Sequence, residues 1–392
     1  MKSVSLRSSE SKNEETFAPD ACALRISREG RDPDWDSFLV SCPGGHHEQT
    51  SLWAEVKGFY GWQPFRIVVS REKRILGGVQ VLTRCFGRWG RIGYVTRGPL
   101  VASNDPGLID FILGQLDHAA KSERLSYLAV VLPYTGHVFE PGLVRLGFRQ
   151  KPNFLPPSGL MTATLVLDLS SDLDSLMARM RSKTRQHIRR AFRKGVMVRE
   201  GSEADVETFR RLMCALCERR GTSPTPPQKD FFEHLWRTYH PPGFVRLFIA
   251  ELEGLVISAL ITFPFGDTVQ AWKIGWAGDH AEDSPNEMLY WEAIRWSKSN
   301  GYRFFDFVSI EKDLAQRLQQ GDPVDWNSVK GPSNFKVAFG GSPVVLPVPY
   351  YRFYHPILRF LARAGGSRMI ESPVVAGFLG RFWDRLASPG EG

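Results

Sequence analysis

Two segments of the chain share one alternation of apolar and polar residues, and each predicts a pair of β-strands. Arg66–Leu82 reads RIVVSREKRILGGVQVL, and Arg246–Thr262 reads RLFIAELEGLVISALIT. They align without gaps at a separation of 180 positions, and each has an apolar run, a short charged turn and a second apolar run. This pattern is typical of a β-hairpin, so the sequence predicts two hairpins of the same kind.

A second pair of similar segments follows the hairpins in the same order. Ala119–Val131 and Trp296–Val308 each contain the end of a helix, a polar turn and an apolar strand. The helices that precede these strands are amphipathic, because apolar residues recur at three- and four-residue spacing. These apolar residues are Leu108, Phe111, Ile112 and Leu116 in one helix and Met288, Leu289, Trp291 and Ile294 in the other. The repeated order predicts a duplicated α/β unit, although βα units also resemble one another through composition alone.

Changes of composition divide the chain into four parts. Residues 1–20 are polar and are expected to be a disordered tail. The first unit is expected over 21–152, and a linker rich in proline separates it from a second unit over 160–342. The second unit opens on the alternating strand Thr162–Leu169. The segment 343–392 mixes aromatic, apolar and arginine residues, which predicts amphipathic helices. Packing of these helices on the body is the main expectation, and docking to an anionic membrane surface is the alternative.

Positive charge is concentrated in one stretch of the chain. The formal net charge is +8, and Arg179–Arg199 contains nine Lys or Arg residues and no acid. Apolar residues at helical spacing predict one amphipathic helix here, with Ser170 or Ser171 as its N-cap and Gly195 just after its end. The arginines then point largely away from the core. Such a patch is either a solvated helix face or a binding surface for phosphate, nucleic acid or lipid head groups.

Composition and motifs exclude several other classes of protein. With 42% apolar and 23% charged residues over 392 positions, the chain is expected to be globular, without a secretory signal or membrane span. Its five cysteines are odd in number and scattered, which favours a reducing compartment over a disulfide framework. Cys214 and Cys217 form an isolated CxxC, and His46 and His47 have no evident third ligand, so no metal site is predicted. The chain has no nucleophile elbow, P-loop or dinucleotide fingerprint.

Several fragments together resemble the Fem family of tRNA-dependent aminoacyltransferases. In the first unit they are Trp53–Lys57, Gly61-Trp62 and Ile92–Pro99. In the second they are Leu167–Leu169, the basic stretch Arg181–Val196, Arg219–Gly221, Gly301–Phe307 and Asn334–Gly341. The resemblance covers roughly residues 35–350, and the order and spacing of the fragments carry it. It implies an α/β (α+β) fold of two tandem domains resembling GNAT acyltransferases, each a mixed sheet flanked by helices, with the last segment returning to the first domain.

The resemblance also implies roles for individual residues. Lys57 is similar to the family lysine that, with an arginine of the second domain, holds the diphosphate of the acceptor. Arg219 best fits that arginine, and the adjacent Arg220 is the alternative. Lys336, which follows Phe335, resembles the lysine at the catalytic centre, and Phe335 is assigned to the catalytic set with it. Trp62 and Arg97 lie in the matching fragments of the first unit and are added to the substrate-binding set. The basic stretch would contact tRNA through Arg181, Lys183, Arg185, Arg189, Arg190 and Arg193.

Three departures from the family pattern suggest a divergent member with a changed acceptor. Leu132 stands before Pro133, where relatives often carry an acidic residue that would act as a general base. Ile274 stands before Gly275, where relatives tend to have a tyrosine that helps to bind a nucleotide-linked acceptor. Asp306–Val308 replaces a more glycine-rich end of the strand.

The resemblance implies transfer of an amino acid from aminoacyl-tRNA to an amine of a peptide acceptor, either a peptidoglycan precursor or a related small peptide. The donor is already an activated ester, so no covalent intermediate and no cofactor are expected, and Lys336 would stabilise the oxyanion. The protein is expected to be a cytoplasmic monomer, with peripheral membrane contact through its C-terminal segment as an option. One alternative is an N-acyltransferase that uses acyl-CoA, although Trp89 fits poorly in the Arg84–Trp89 match to a pyrophosphate-binding loop. A second is a non-catalytic protein that binds RNA or membrane surfaces.

Overall fold

The first half of the chain builds one mixed β-sheet with its helices. The computed structural model describes residues 17–85, 90–150, 161–326, 328–329 and 331–363. The elements of this half are β1 (Ala23–Ser27), α1 (Pro33–Ser41), α2 (Ser51–Gly58), β2 (Gln63–Arg71), β3 (Arg74–Cys85), β4 (Arg91–Thr96), β5 (Leu100–Val101), α3 (Pro106–Ser122), β6 (Leu125–Val131), α4 (Glu140–Arg145) and β7 (Arg149–Gln150).

The second half builds another mixed sheet, and the chain then continues into two further elements. This half contains β8 (Ala163–Asp168), α5 (Leu173–Arg179), α6 (Ser182–Arg193), β9 (Met197–Glu200), α7 (Val206–Arg219), α8 (Phe231–Tyr239), β10 (Arg246–Leu252), β11 (Leu255–Phe265), β12 (Thr268–Trp276), α9 (Pro285–Ser299), β13 (Phe304–Asp306), α10 (Lys312–Gln320), α11 (Pro332–Val337) and β14 (Ser342–Val345). The further elements are β15 (Tyr350–Phe353) and α12 (Pro356–Arg363).

The two sheets repeat one plan, which confirms the predicted duplication of an α/β unit. The first sheet has the order β1-β2-β3-β4-β6-β15-β7 with β5 on β3, and the second has the order β14-β8-β13-β12-β11-β10-β9. Antiparallel β2–β3 and β10–β11 are the predicted hairpins. The two turn residues of each have positive φ, namely Glu72 and Lys73 in one and Glu253 and Gly254 in the other. Such turns match the right-handed twist of the strands they join.

Each hairpin leads through a helix into a parallel pair of strands. Strand β4 runs parallel to β6 across α3, and β12 runs parallel to β13 across α9. The predicted apolar stripes of these helices face the cores: Leu108, Ile112 and Leu116 are buried in α3, as are Met288, Leu289 and Ile294 in α9. A parallel pair needs such a crossover connection, and a helix with one apolar face supplies it.

The basic stretch differs from the single helix that its spacing predicts. It forms two helices, α5 and α6, separated at Met180, and the N-cap of α5 is Asp172 rather than Ser170 or Ser171. The break is tertiary in origin, because the backbone N–H of Arg181 donates to the carbonyl of Ala338 at 2.9 Å. Gly195 has a positive φ of 82° just after the end of α6, as predicted.

The chain after the second sheet differs in part from the helices expected there. Tyr350–Phe353 is a strand in the first sheet and pairs antiparallel with β6. Tyr350 packs on one face of that sheet, whereas Tyr351 and Phe353 pack on the other, and this alternation favours a strand over a helix. Helix α12 follows it. The expected helices beyond residue 363 lie outside the described residues.

Two structural features extend across an expected domain limit. Strand β14 continues the second sheet to Val345, past the limit of 342. Phe17, expected in the tail, packs on Phe111 at 5.4 Å between ring centroids and donates its N–H to Asp105. Residues 1–16 and the expected linker around 151–160 lie outside the described residues. In the described part of the chain, no helix is long and apolar enough to cross a bilayer.

The two domains pack against each other through an apolar cluster built from both. Trp53 and Val56 of α2 join Phe231 and Trp236 of α8 and Phe263 of β11 in this cluster. Its aromatic rings meet mainly edge to face, as for Trp53 and Phe231 at 6.2 Å. This packing fixes α2, and the loop before it, against the second sheet.

Candidate functional site at the domain boundary

Lys57 lies near the end of α2, beside two tryptophans. Its Nζ is 5.8 Å from the ring centroid of Trp53 and 5.8 Å from that of Trp62, within range of a cation–π contact. Burial lowers the pKa of Lys57, and the negative charge of Glu48 acts in the opposite direction. The structure thus brings the predicted residues Lys57 and Trp62 together and adds Glu48 to them.

Arg97 follows strand β4 and is buried, with 8% of its surface exposed. Its backbone is left-handed, with φ of 52°. Gln49 holds the end of strand β4 beside β3. Its side-chain N–H groups donate to the carbonyls of Thr96 at 2.5 Å and Gln80 at 3.2 Å. Among the described residues no carboxylate lies within 4.0 Å of the Arg97 guanidinium, although its charge affects the pKa of both Glu48 and Asp306. Arg97 is therefore a buried cation whose charge acts on two carboxylates without pairing with either.

Asp306 ends strand β13 and is held by three donors. Its Oδ1 accepts hydrogen bonds from the hydroxyl of Thr164 and, at 2.7 Å, from the N–H of Val308. Its Oδ2 lies 3.4 Å from the side-chain nitrogen of Gln270. Burial raises the pKa of Asp306, and the Thr164 and Val308 hydrogen bonds and the charges of Arg97 and Lys336 oppose that rise.

Lys336 is half-buried in α11, and its ammonium is anchored by two backbone carbonyls. It donates to the carbonyl of Val308 and, at 2.9 Å, to that of Ser309. Both of those residues have left-handed backbone, with φ of 55° and 42°. Such a conformation is costly for a β-branched residue such as Val308 and is found mostly where surrounding contacts enforce it. Burial lowers the pKa of Lys336 to about 8, with Asp306 opposing the shift and the positive charges of Arg220 and Lys273 adding to it.

The charges of these groups act on one another in a series of alternating sign that crosses the domain boundary. We call it the charge row, and it consists of Lys57, Glu48, Arg97, Asp306 and Lys336. Each member shifts or opposes the pKa of a neighbour, so they share one poorly solvated region. In water such effects would be screened, whereas at low dielectric constant they are strong. The row can bind an anion at its cations and take up or release a proton at its carboxylates.

Arg219 and Arg220 end helix α7 and are both exposed. The guanidinium of Arg219 lies 4.2 Å from the ring centroid of Trp276, and the Trp276 indole N–H donates to the carbonyl of Asp279 at 2.9 Å. A Cβ atom at Gly278 would come within 1.8 Å of Nη1 of Arg219, so only glycine leaves room for this stacking. Arg220 differs from Arg219 in that its charge acts on Lys336.

Phe335 is part of an aromatic cluster under the Lys336 helix. Its ring lies 5.3 Å from Tyr290 and 5.3 Å from Phe339, in edge-to-face contacts. These contacts hold α11 on the second sheet. The described contacts of Phe335 are therefore packing contacts, and they bear on the site through the position of Lys336.

The six predicted RNA contacts divide into two groups of three. Arg181, Arg185 and Arg190 bond within the protein, to Asn334 at 2.6 Å, the Ala178 carbonyl at 3.1 Å and Ser284 at 2.6 Å. Arg181 and Arg190 are half-buried, so they lie at the protein surface with part of their hydrogen-bonding capacity already used. The other three, Lys183, Arg189 and Arg193, are exposed.

A groove of about 590 Å³ lies between α6 and α9, beside the exposed cations. Arg189, Arg193 and Arg295 line it together with Trp291 and with Phe192, whose surface is 72% exposed. Trp291 is buried, so Phe192 is the exposed ring, and arginines around such a ring suit both the phosphates and the bases of single-stranded nucleic acid.

Sequence reasoning missed Glu48 and Lys273 as members of the site. Glu48 lies in a short 3-10 helix next to His46 and His47, where the sequence pattern drew attention only to a metal. Those imidazoles have other partners: His46 bonds Gln270 at 3.0 Å, and His47 stacks on Phe263 at 3.8 Å. Lys273 is the one charged residue of strand β12, and a charge in a mostly apolar stretch is the signal that indicated Lys336 as well. The Arg84–Trp89 match to a pyrophosphate loop falls largely on residues 86–89, outside the described residues.

Comparison with known proteins agrees with this architecture. A family model for the acetyltransferase (GNAT) domain matches residues 178–314, within the second domain. A crystal structure of FemX superposes with a TM-score of 0.73 at 18% identity, covering 84% of this chain and 98% of that one. A tandem GNAT protein of the clavulanic acid biosynthesis pathway superposes with a TM-score of 0.50 at 10% identity, covering 84% of this chain and 98% of that one. The tandem GNAT fold predicted from the sequence is thus confirmed.

The chain is also similar to curated proteins of one activity. The lipid II:glycine glycyltransferase of Staphylococcus aureus (strain MRSA252) is 26% identical over 230 residues, which is 56% of this chain and 53% of that protein. The corresponding protein of strain USA300 is 25% identical over the same lengths. The chain therefore spans about half the length of the curated relatives it matches.

Proposed function

We propose that this chain, a divergent Fem-type tandem GNAT protein, is an acyltransferase that moves an amino acid from aminoacyl-tRNA to an amine of a peptide acceptor. The acceptor is a peptidoglycan precursor or a related small peptide. The observation that carries this proposal is the charge row, which ends at an ammonium group fixed by two carbonyls. The row has cations for anionic substrate groups and carboxylates for a proton, and it lies between two domains of an acyl-transferring fold.

Lys336 is the group that stabilises the oxyanion. The acceptor amine attacks the ester carbonyl, a tetrahedral oxyanion forms, and the ribose hydroxyl leaves. Two of the three N–H bonds of the ammonium are directed at the carbonyls of Val308 and Ser309, so one remains for the oxyanion. With a pKa of about 8, the lysine is mostly protonated at neutral pH. The reaction needs no covalent intermediate, because the donor ester is already activated.

Lys57 and Arg219 hold the phosphate groups of the acceptor in this proposal, with Arg220 close to Lys336. The stacking of Arg219 on Trp276 leaves the edge of its guanidinium available for a bidentate contact with phosphate oxygens. Lys57 supplies a single point charge beside Trp62. Arg97, whose charge acts on both Glu48 and Asp306, binds the peptide portion of the acceptor in this proposal.

The RNA partner contacts the exposed cations of α6 and the adjoining groove. Lys183, Arg189 and Arg193 interact with phosphates without reading the base sequence. Phe192 offers a ring on which an unpaired base can stack. We place the protein in the cytoplasm as a monomer, where aminoacyl-tRNA is available, with α12 as the part that approaches the membrane.

The alternative donor is an acyl-CoA, which the match to the acetyltransferase (GNAT) domain model favours. Thermal unfolding of the full chain in the presence of either donor separates the two proposals, because a ligand that binds the folded state raises the midpoint. We expect aminoacyl-tRNA to raise the midpoint at micromolar concentration and coenzyme A to leave it unchanged. A rise with coenzyme A alone would reject the tRNA-dependent function.

A further inference from the structure

Two carboxylates belong to the charge row, and the structure gives them different tasks. Asp306 receives hydrogen bonds from Thr164 and Val308 on one oxygen and lies near Gln270 with the other. The Asp306 carboxylate thus holds the backbone turn at Val308 and Ser309, whose carbonyls accept the hydrogen bonds of Lys336. The side chain of Glu48 is 22% exposed, and within the described part of the chain its carboxylate oxygens receive no hydrogen bond. Glu48 is thus the carboxylate that is open to a ligand.

The backbone on both sides of Glu48 is rigidly held. On one side the His47 ring stacks on Phe263 of the second domain, with centroids 3.8 Å apart and planes 9° apart. On the other side Gln49 is buried, accepts from the N–H of Gln80 at 2.8 Å and donates to two strand carbonyls. Contacts that hold both neighbours fix the position from which the Glu48 side chain extends, so less freedom is lost when its carboxylate meets a substrate.

Among the described residues, the titratable groups that interact with Glu48 are cations or neutral groups. The nearest is the His46 ring, whose Nδ1 is 3.8 Å from the Glu48 carboxylate. Burial keeps His46 neutral by lowering its pKa well below the usual value. The remaining titratable groups that interact with Glu48 are Arg97, Lys57 and the hydroxyls of Tyr94 and Tyr239. Burial raises the pKa of Glu48 itself, and the charges of Arg97 and Lys57 limit that rise.

We propose that Glu48 binds the ammonium group of the acceptor and takes the proton that must leave before the amine can attack. This inference rests on the proposed function and supplies the general base that Leu132, in the position before Pro133, does not provide. The segment around Glu48, which the sequence analysis considered only for metal binding by His46 and His47, thereby gains a catalytic role.

The proton and electron balance of the step is complete. The acceptor ammonium gives one proton to Glu48, and the resulting lone pair forms the C–N bond to the ester carbonyl. As the tetrahedral adduct collapses, the C–O bond to the ribose breaks, and the second amine proton goes to the departing ribose oxygen. Glu48 then releases its proton to solvent. The products are an amide, a free ribose hydroxyl and one proton, and no other reactant is consumed.

The test compares Glu48→Gln and Glu55→Gln in a transfer assay with the full chain. The assay uses a labelled aminoacyl-tRNA pool with nucleotide-linked, lipid-linked and free stem peptides as acceptors. Glu55 is the matched control because it lies on α2 and pairs with Arg31 on the surface, outside the charge row. We expect E48Q to lose about 100- to 10,000-fold in transfer rate at pH 7, the range for loss of a general base, and E55Q to match the wild type.

Two further measurements distinguish a general base at position 48 from a residue with only a structural role. An acceptor whose ammonium is replaced by an aminooxy group is already neutral at pH 7, so E48Q should transfer to it nearly as fast as the wild type. With the ordinary acceptor, the rate of E48Q should rise about tenfold per pH unit below pH 8, where Lys336 is still protonated, whereas the wild-type rate should be flat in that range. Equal loss with both acceptors, or an active E48Q, would overturn the assignment. A wild-type protein that transfers to no acceptor would instead reject the proposed function.

Discussion

Tyr239 of the second domain donates a hydrogen bond to the backbone carbonyl of His47 in the first domain, at 2.9 Å. The hydroxyl oxygen also lies 2.8 Å from the hydroxyl of Thr50, which caps helix α2. The bond is fully buried, and it joins the second domain to the short segment that carries Glu48. The geometry of the charge row therefore depends on contacts between domains as well as on each domain's own fold.

Loss of this contact should weaken the assembly of the two domains. We expect Tyr239→Phe to lower the free energy of unfolding by about 1 kcal/mol, the usual net value of a buried hydrogen bond. Urea denaturation measures this change. Tyr60→Phe is the control, since the Tyr60 hydroxyl also bonds across the domains, to Asp230 at 3.0 Å, but at an exposed position. A larger effect of Y60F than of Y239F would contradict the account.

The pKa of Lys336 sets the alkaline limit of activity. Its protonated form stabilises the oxyanion, so the transfer rate should fall as the pH rises through about 8. Lys336→Ala should fold and lose about 100- to 1,000-fold in rate, as expected for loss of one oxyanion donor. Lys336→Arg keeps its charge at higher pH, so any activity it retains should lack the decline above pH 8. A normal rate for K336A would remove Lys336 from the mechanism.

Arg220 offers an independent check of that pH limit. Its positive charge contributes to the lowered pKa of Lys336. Arg220→Ala should therefore raise that pKa and move the decline in activity to higher pH. Arg219→Ala removes a charge that does not act on Lys336, so the pH at which the transfer rate declines should stay unchanged.

Arg219 and Gly278 should act as one unit in binding a phosphate-bearing acceptor. We expect Arg219→Ala to raise KM for such an acceptor by about 10- to 100-fold, the cost of a lost charge-assisted hydrogen bond. Gly278→Ala should have a similar effect, because its Cβ would displace the guanidinium. The double variant should be no worse than either single one in a mutant cycle. An acceptor without phosphate should show no change in KM with R219A, and a rise there would contradict the phosphate-binding role.

The exposed cations of α6 should determine the salt dependence of RNA binding. Changing Lys183, Arg189 and Arg193 to Gln removes three phosphate contacts. The slope of log K against log salt concentration should become shallower by about 2 to 3, since each contact contributes about 0.7 to 0.9. Filter binding over a range of salt measures the slope. The control changes Arg74, Arg149 and Lys229, which are exposed on other elements; an equal effect of the control would mean that only net charge matters.

The sequence predicted the repeated elements well because their signals are local. The hairpins at Arg66–Leu82 and Arg246–Thr262 follow from apolar runs around a short turn, and the amphipathic helices follow from spacing. The break of the basic helix at Met180 was not predictable in this way, because the N–H of Arg181 bonds to Ala338, far along the chain. The strand at Tyr350 likewise depends on a free edge of β6 in the other half of the protein.

The candidate site was only partly accessible from the sequence, for the same reason. Lys57 and Lys336 were found by resemblance to family motifs, and the structure adds the groups that lie between them. Glu48 could not be found from its own segment, because its partners come from three separate elements and its neighbour His47 is fixed by Phe263 of the other domain. The left-handed backbone at Arg97 and Val308 also has no signature in residue type.

The most direct test of the central claim follows label from RNA to peptide. The full chain is incubated with a labelled aminoacyl-tRNA pool and the acceptor panel, with and without prior RNase treatment. We expect label to appear in an acceptor amide, to be lost after RNase treatment, and to be reduced at least 100-fold in K336A. Acylation that persists after RNase treatment and requires an acyl-CoA would contradict the account.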